Sequence, residues 1–173
     1  MRFPAVLATV VGAVFVQALL VRYAAGGRLA FDFTLVGVVF VALRWDARAG
    51  LVGGSIGGVL QDVLSGGVAG VGGLAKTLVG GAAGGIGSRF VITRPHDRAL
   101  LVAGATVVHR LIMVALTSLI DQQWSGLPLV DMLEETVVNT ACAWALFRAA
   151  DGWPAVFERR RLRRQARWVR RNW

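Results

Sequence analysis

Apolar residues dominate the chain in six stretches, and short polar segments separate them. A helix that crosses a bilayer needs roughly 20 apolar residues, and most of the stretches approach that length. The pattern predicts helices at residues 4–21, 29–43, 49–64, 69–88, 99–120 and 129–147. The second stretch is short and contains Asp32, so it is either a short helix inside the bundle or a helix with Asp32 at the interface. We therefore expect an all-α membrane protein, a bundle of about six transmembrane helices.

The third and fourth stretches are rich in glycine, because residues 50–88 hold 15 of the 22 glycines. A glycine costs a soluble helix about 1 kcal/mol relative to alanine, whereas in a bilayer small residues let helix backbones pack closely. At every fourth position the glycines form two ridges, which also carry Asp62 and Lys76. The ridge glycines are Gly50, Gly54 and Gly58 in the third stretch and Gly80 and Gly84 in the fourth. The pattern predicts a tight helical hairpin with a buried polar end at its turn.

Composition and charge support the membrane interpretation. Hydrophobic residues make up 55% of the chain and charged residues 17%, and the charged share lies below the globular norm of about 25%. Cytoplasmic loops carry an excess of lysine and arginine, and the arginines fall mainly on one side if the N-terminus is inside. We expect a multi-pass protein of the bacterial inner membrane with both termini cytoplasmic. Its regions are a six-helix transmembrane domain, 1–157, and an arginine-rich cytoplasmic tail, 158–173.

The tail supplies most of the net charge of +9, since it holds eight arginines and one glutamate. Such a run resembles a nucleic-acid arm. At the cytoplasmic end of a membrane helix, however, basic residues are attracted to anionic lipid head groups. We expect anionic lipids and no nucleic acid, with a protein partner as the alternative. The arginines concerned are Arg159, Arg160, Arg161, Arg163, Arg164, Arg167, Arg170 and Arg171.

Ionisable residues within the apolar stretches are candidates for a functional site, because buried charges pair with one another or line a cavity. Lys76 and Arg110 are the predicted buried charges. Asp62 either caps the turn or bonds Lys76 as a structural lock, or the two form a buried polar site or docking surface. For Arg110 we expect a partner in Asp32 or in the acidic start of the sixth helix. A proton relay through His109 or Arg110 is the alternative.

Motifs typical of catalysis are not found in the sequence. It has no carboxylate pair with a neighbouring histidine, and its one cysteine excludes a cysteine-based zinc cluster. Residues 70–77 resemble a phosphate-binding loop but lack its second glycine and the preceding strand. Asp131, Glu134 and Glu135 share a helical face; we expect them to cap an interfacial helix rather than bind a cation. We expect no enzyme, no cofactor and no metal.

Residues 59–78 read VLQDVLSGGVAGVGGLAKTL and resemble the central signature of the MreD family, rod shape-determining membrane proteins of bacteria. The matching positions are Asp62, Ser65, Gly66 and Gly70, to which the resemblance gives a structural and docking role. It does not extend to Lys76 or to the length of the tail. It implies a fold similar to the substrate-binding membrane subunits of energy-coupling-factor transporters.

The resemblance implies a non-enzymatic inner-membrane scaffold subunit of the bacterial elongation (rod) complex. Such proteins bind MreC and act with MreB, RodZ, RodA and a class B penicillin-binding protein in lateral peptidoglycan synthesis and cell shape. Our first hypothesis is that this chain docks a partner's transmembrane helix on its small-residue surface. The alternative is a vitamin-binding subunit of an energy-coupling-factor transporter, with its ligand near Asp62, Lys76 and Arg110. A lipid-handling protein is the third class.

Overall fold

The computed structural model describes residues 3–24, 31–90, 92, 94–122 and 126–169, with the side chains of these residues described up to residue 151 except at 23 and 24. All regular structure in these ranges is helical, so the prediction of an all-α fold is confirmed. The six helices begin and end close to the predicted positions, except that the last one continues well past residue 147. They are α1 (Phe3–Ala24), α2 (Phe33–Arg44), α3 (Ala47–Ser65), α4 (Val71–Arg89), α5 (Pro95–Asp121) and α6 (Leu129–Val169).

Helix α2 forms the centre of the bundle, because it contacts each of the other five helices. Eight of its twelve residues are buried, as expected for a helix that is apolar all round. Twelve residues rise only about 18 Å, which is less than the roughly 30 Å of a hydrocarbon core. The first alternative for this stretch is therefore the observed one, a short helix packed inside the bundle. It begins directly after Asp32; residues 29 and 30, also predicted helical, lie outside the described residues.

Helices α3 and α4 pack at backbone contact along the two glycine ridges. A Cβ atom added to Gly58 would lie 2.5 Å from the Cα of Gly73, and one added to Gly84 would lie 2.5 Å from the Cα of Ala47. Real Cβ atoms essentially never come that close. Side chains added at the three other ridge glycines would likewise meet the backbone of the opposite helix: Gly50 and Gly80 face each other, and Gly54 faces Lys76.

The tight hairpin is therefore confirmed, and its two ridges contact each other. This geometry corrects the hypothesis that a partner helix docks on the small-residue ridges. No space remains between the two backbones for a third helix. The ridges serve intramolecular packing in this fold.

The hairpin turn is built by the residues that carry the family resemblance. Gly66 ends α3 with φ 70° and Gly70 precedes α4 with φ 98°, left-handed values that favour glycine. Ser65 Oγ donates a hydrogen bond of 3.2 Å to the backbone oxygen of Asp62, and the Gly67 N–H donates to the same oxygen. These residues have a structural role in the turn.

Two of the helical segments, Phe3–Arg22 and Pro95–Asp121, are long and apolar enough to cross a membrane. Large apolar side chains are nevertheless exposed on five of the six helices; Phe15 is 63% exposed and Leu119 77%. Helix α6 runs through the predicted boundary at residues 157 and 158 as one continuous helix. Within the tail, the arginine side chains up to Arg167 are not described, and Arg170 and Arg171 lie outside the described residues altogether.

Candidate functional site at the turn end of the hairpin

Five helices contribute polar side chains to one buried cluster, and a sixth, α1, is tied to it. The cluster lies where α2, α4 and α6 begin and where α3 ends, against the middle of α5. We call it the polar cluster and define it as Asp32, Asp62, Lys76, His109, Arg110, Glu135 and Asn139.

Asp32 is held in this cluster by three contacts. Its Oδ2 pairs with Lys76 Nζ at 2.7 Å, and its Oδ1 caps α2 by accepting a hydrogen bond of 2.9 Å from the Leu35 N–H. Its backbone N–H donates to Asn139 Oδ1 at 2.9 Å. Lys76 is only 3% exposed, so its side chain does not extend to the surface. Its carboxylate partner is Asp32 and not Asp62, which corrects the predicted Asp62–Lys76 bond.

Asp62 performs the other role expected for it, that of a cap. Its Oδ2 accepts hydrogen bonds from the backbone N–H groups of Gly70, at 2.9 Å, and Gly73, at 3.2 Å. Gly70 precedes α4 and has no side chain to cap it, so the first N–H groups of this helix would otherwise be unsatisfied. A carboxylate at a helix N-terminus also interacts favourably with the helix dipole. Asp62 therefore locks the end of α3 to the start of α4.

His109 contacts the same lysine from α5. Its Nε2 lies 3.3 Å from Lys76 Nζ, and its side chain is buried. An ammonium group can only donate, so Nε2 is the acceptor and the ring proton is assigned to Nδ1. That Nδ1 is buried and has no hydrogen-bond partner among the described residues. A buried donor left unsatisfied costs about 1–3 kcal/mol, and none of the described residues supplies this atom with a partner.

Arg110 pairs with the acidic start of α6, the second of the two alternatives. Its Nε donates to Glu135 Oε2, and the Arg110 side chain is 34% exposed while that of Glu135 is 5% exposed. Asp131 and Glu134 are exposed, so the three carboxylates of this helix do not act together. Asp131 lies in the first turn of α6 as expected, but Glu135 departs from the predicted capping array because it turns into the bundle towards Arg110.

Two buried amides that the sequence analysis did not single out fix the position of Asp32. Gln17 of α1 donates to the backbone oxygen of Phe31 at 2.9 Å and accepts from the Phe33 N–H at 2.8 Å. Asn139 of α6 accepts from Asp32 and donates to Thr106 Oγ1 at 3.3 Å. Each is a single amide side chain within an apolar stretch of sequence. This could have marked both residues as candidates, because such side chains join helices by hydrogen bonds in membranes.

A cavity of about 210 Å³ opens between these side chains. It is lined by most of the polar cluster together with Phe31, Gln61, Ser65, Gly72 and Met113. A second, more apolar cleft of about 390 Å³ lies between α1 and α3, and Gln61 and Ser65 line both spaces. The Gln61 Oε1 atom is buried and, like His109 Nδ1, has no partner in the described part of the chain.

The fold places two carboxylates beside a histidine, an arrangement that the sequence did not show. Asp32, His109 and Glu135 each offer an atom that could bind a metal, and these atoms lie within 4.8 Å of one another. Lys76 Nζ, however, lies 2.7 Å from Asp32 and 3.3 Å from His109. Because the ammonium occupies the place of a cation and would repel a metal ion, this donor set does not fit a metal.

Comparison with models of protein families, with curated proteins and with solved structures finds no match for this chain. The resemblance to the MreD family therefore depends on residues 59–78 themselves.

Proposed function

We propose that this protein is a non-enzymatic scaffold subunit of the bacterial elongation (rod) complex. In this proposal it binds MreC in the inner membrane and acts with MreB, RodZ, RodA and a class B penicillin-binding protein in lateral peptidoglycan synthesis. The observation that carries the proposal is the turn of the hairpin. Each residue of the resemblance has a specific structural task there: Asp62 caps α4, Ser65 bonds back to Asp62, and Gly66 and Gly70 adopt left-handed conformations.

A multi-pass arrangement with cytoplasmic termini is part of the proposal. Its support is the apolar surface, since soluble monomers rarely expose large contiguous apolar areas. Residues such as Phe15 on α1, Leu78 on α4, Leu119 on α5 and Val137 on α6 are at least half exposed, and lipid is the solvent that suits them. The short α2 lies inside a ring of longer helices and is shielded from lipid by them.

A partner helix binds to an outer face of the bundle, because the glycine ridges are closed. Substitutions such as Gly58→Leu and Gly80→Leu are therefore poor probes of partner binding, since they disrupt the hairpin itself. Partner binding is better tested with the unmodified chain.

The test is a pull-down of the full-length protein from its native membrane in mild detergent, with mass spectrometry of the proteins that accompany it. We expect MreC and wall-synthesis proteins, and we expect depletion of the protein to give rounded cells. A control pull-down with an unrelated multi-pass protein of the same membrane sets the background. Recovery without MreC, in cells that keep their rod shape, would refute the scaffold function.

The alternative is a vitamin-binding subunit of an energy-coupling-factor transporter, and the polar cavity is the observation that favours it. Its volume of about 210 Å³ is below the roughly 300–1,000 Å³ of typical ligand pockets. Phe31 and His109 are the aromatic residues among those that line it, so the cavity offers little stacking surface for a vitamin ring. Co-purification of paired ATPases, or a large thermal shift with one vitamin, would support this alternative.

A further inference from the structure

We propose that a cavity at the opposite end of α2 from the polar cluster binds a phosphodiester group, which carries one negative charge. Phospholipid head groups and small soluble phosphodiesters both supply this chemistry. The inference is independent of the scaffold function, because it rests on the side chains around this cavity.

The cavity has a volume of about 230 Å³ and lies where α2 ends, beside the first turns of α5 and the middle of α6. Both apolar and charged residues line it. The apolar ones are Phe40, Leu43, Phe147 and Ala150, and the charged ones are Arg44, Arg98 and Asp151. In the proposed membrane arrangement this is the cytoplasmic end of the bundle. Basic pockets between helices on that side of a membrane bind anionic lipid head groups.

Arg98 is fixed in position on one side of the cavity. Its Nε donates to the backbone oxygen of Ile92 at 3.1 Å, and its Nη1 donates to Asp151 Oδ1 at 3.0 Å. Its guanidinium carbon lies 5.6 Å from the centre of the Phe147 ring, within the range of a cation–π contact. An arginine has five N–H donors, and Nη2 makes no hydrogen bond to the described residues. The guanidinium group therefore has donors left for a ligand.

Arg44 is the charge in this lining that has no counter-ion. Its side chain is exposed, and no carboxylate of the described residues forms an ion pair with it. Arg98 is paired with Asp151, so two arginines and one aspartate leave the lining with a net charge of +1. One phosphodiester balances that charge, and an arginine can bind two of its oxygens through parallel hydrogen bonds.

Asp151 sets the charge that the site accepts. A phosphomonoester carries about 1.5 to 2 negative charges at neutral pH, and the excess would lie unbalanced near the Asp151 carboxylate. Phosphatidylglycerol, a diester, should therefore bind more tightly than phosphatidate, a monoester. Asp151→Asn removes the opposing charge, while its side-chain oxygen can still accept from Arg98. In this variant the preference should shift towards phosphatidate.

The probe is phosphatidylglycerol with a photoreactive diazirine on its head group, added to the full-length protein in dodecyl maltoside, a detergent without phosphate. After irradiation, mass spectrometry of the peptides locates the crosslinks. We expect crosslinks in residues 40–44 and 147–151, separate from any in the arginine-rich tail. Arg44→Gln should lower the yield at the cavity by about tenfold, the effect of losing a hydrogen bond to a charged group. Arg44→Lys should lower it less, because lysine keeps the charge.

Arg89→Gln is the matched control for Arg44→Gln. Arg89 is also an exposed arginine in the last turn of a helix, but it does not line the cavity. Its substitution should leave the cavity crosslinks unchanged. The tail is the same in all variants, so its crosslinks serve as an internal reference for the yield.

Unlabelled competitors identify the charge and the source of the ligand. Phosphatidylglycerol should displace the probe from the cavity at a lower concentration than phosphatidate, and Asp151→Asn should reduce this difference. Glycerophosphoglycerol is the second arm, because it has the same phosphodiester without acyl chains. If it does not displace the probe, the ligand is a lipid. If it competes as well as phosphatidylglycerol, the ligand is a soluble phosphodiester, and both results support the site.

Three outcomes would overturn the proposal. Crosslinks in the tail alone would show that the cavity binds no head group. Cavity crosslinks that Arg44→Gln and Arg89→Gln lower equally, or not at all, would show only a general attraction of head groups to arginine. Phosphatidate that displaces the probe from the unmodified protein more effectively than phosphatidylglycerol would refute the requirement for a single charge.

Discussion

The two ends of the α3–α4 hairpin are built in opposite ways. Away from the turn, glycine meets backbone, as Gly84 meets Ala47, and the contact leaves no room even for a methyl group. Near the turn the same ridges carry Asp62, which accepts hydrogen bonds from the amides at the start of α4. They also carry Lys76, whose side chain reaches Asp32 and His109 on other helices. There the contact is polar, a cavity opens, and Gln61 Oε1 and His109 Nδ1 have no hydrogen-bond partner in the described ranges.

This difference separates a purely structural contact from a candidate binding site. The contact between the α3 and α4 backbones leaves no free space, so it holds the hairpin together but cannot bind another molecule. Between the polar side chains a cavity of about 210 Å³ remains. The variants described next test each end, from the largest expected effect to the smallest.

In the ridge contact, one turn before Asp62, Gly58→Leu should prevent folding. Its side chain would overlap Gly73, whose Cα would lie only 2.5 Å from the new Cβ. We expect a loss of at least about 3 kcal/mol, the upper range for overpacking, seen as aggregation in size-exclusion chromatography. Gly12→Leu is the control, since nothing lies within 4 Å of a Cβ at Gly12. Equal elution of the two variants as folded protein would contradict the backbone contact.

At the polar end, Lys76→Met should destabilise the protein by about 3–5 kcal/mol, because it leaves the buried Asp32 carboxylate unpaired. The double variant Asp32→Asn with Lys76→Met should recover most of that loss, since asparagine can still cap α2. Thermal unfolding in detergent measures both. If the double variant were less stable than Lys76→Met alone, the ion pair would not be the reason for the loss.

Asp62→Ala should cost about 0.5–2 kcal/mol, the usual effect of losing a helix N-cap. Asp62→Asn should cost less, because its side-chain oxygen can still accept from Gly70 and Gly73. Hydrogen exchange should become faster at these two amides in the alanine variant. Unchanged exchange there would mean that Asp62 does not cap α4.

Gly70→Ala should destabilise the turn by about 1–2 kcal/mol, the cost of a left-handed conformation for a residue with a Cβ. Gly67→Ala is the control, because Gly67 lies in the same turn without a positive φ. The difference between their unfolding temperatures measures the strain. Equal temperatures would argue against the described turn geometry.

The helices and the hairpin could be predicted from the sequence because they depend on local pattern. The apolar runs predicted five of the helices to within a few residues of their ends. The glycines at every fourth position predicted the two ridges. Helix α6 was predicted too short, because its second part is charged rather than apolar. That part is rich in arginine, with glutamate, glutamine and alanine, and all four are good helix formers. A prediction based on apolar residues alone does not detect a helix made of them.

The pairing of charges could not be predicted, because it depends on how distant helices meet. Lys76 and Asp32 are far apart in sequence, and only the central position of α2 brings them together. Asp62 is nearer to Lys76 along the chain, which made it the natural candidate. The side chain of Asp62 instead accepts hydrogen bonds from the amides at the start of α4. An aspartate directly before an apolar run, as at Asp32, is a helix N-cap signal that could have been used.

The most direct test of whether the two glycine ridges hold the hairpin together is a pair of neighbouring alanine variants in α4. A Cβ at Gly84 would lie 2.5 Å from the Cα of Ala47, while nothing lies within 4 Å of one at Gly85. Thermal unfolding of the full-length protein in one detergent compares them. We expect Gly84→Ala to lose about 1–3 kcal/mol and Gly85→Ala to lose nothing or gain up to about 1 kcal/mol from its higher helix propensity. Equal unfolding temperatures for the two variants would contradict the closed ridge contact.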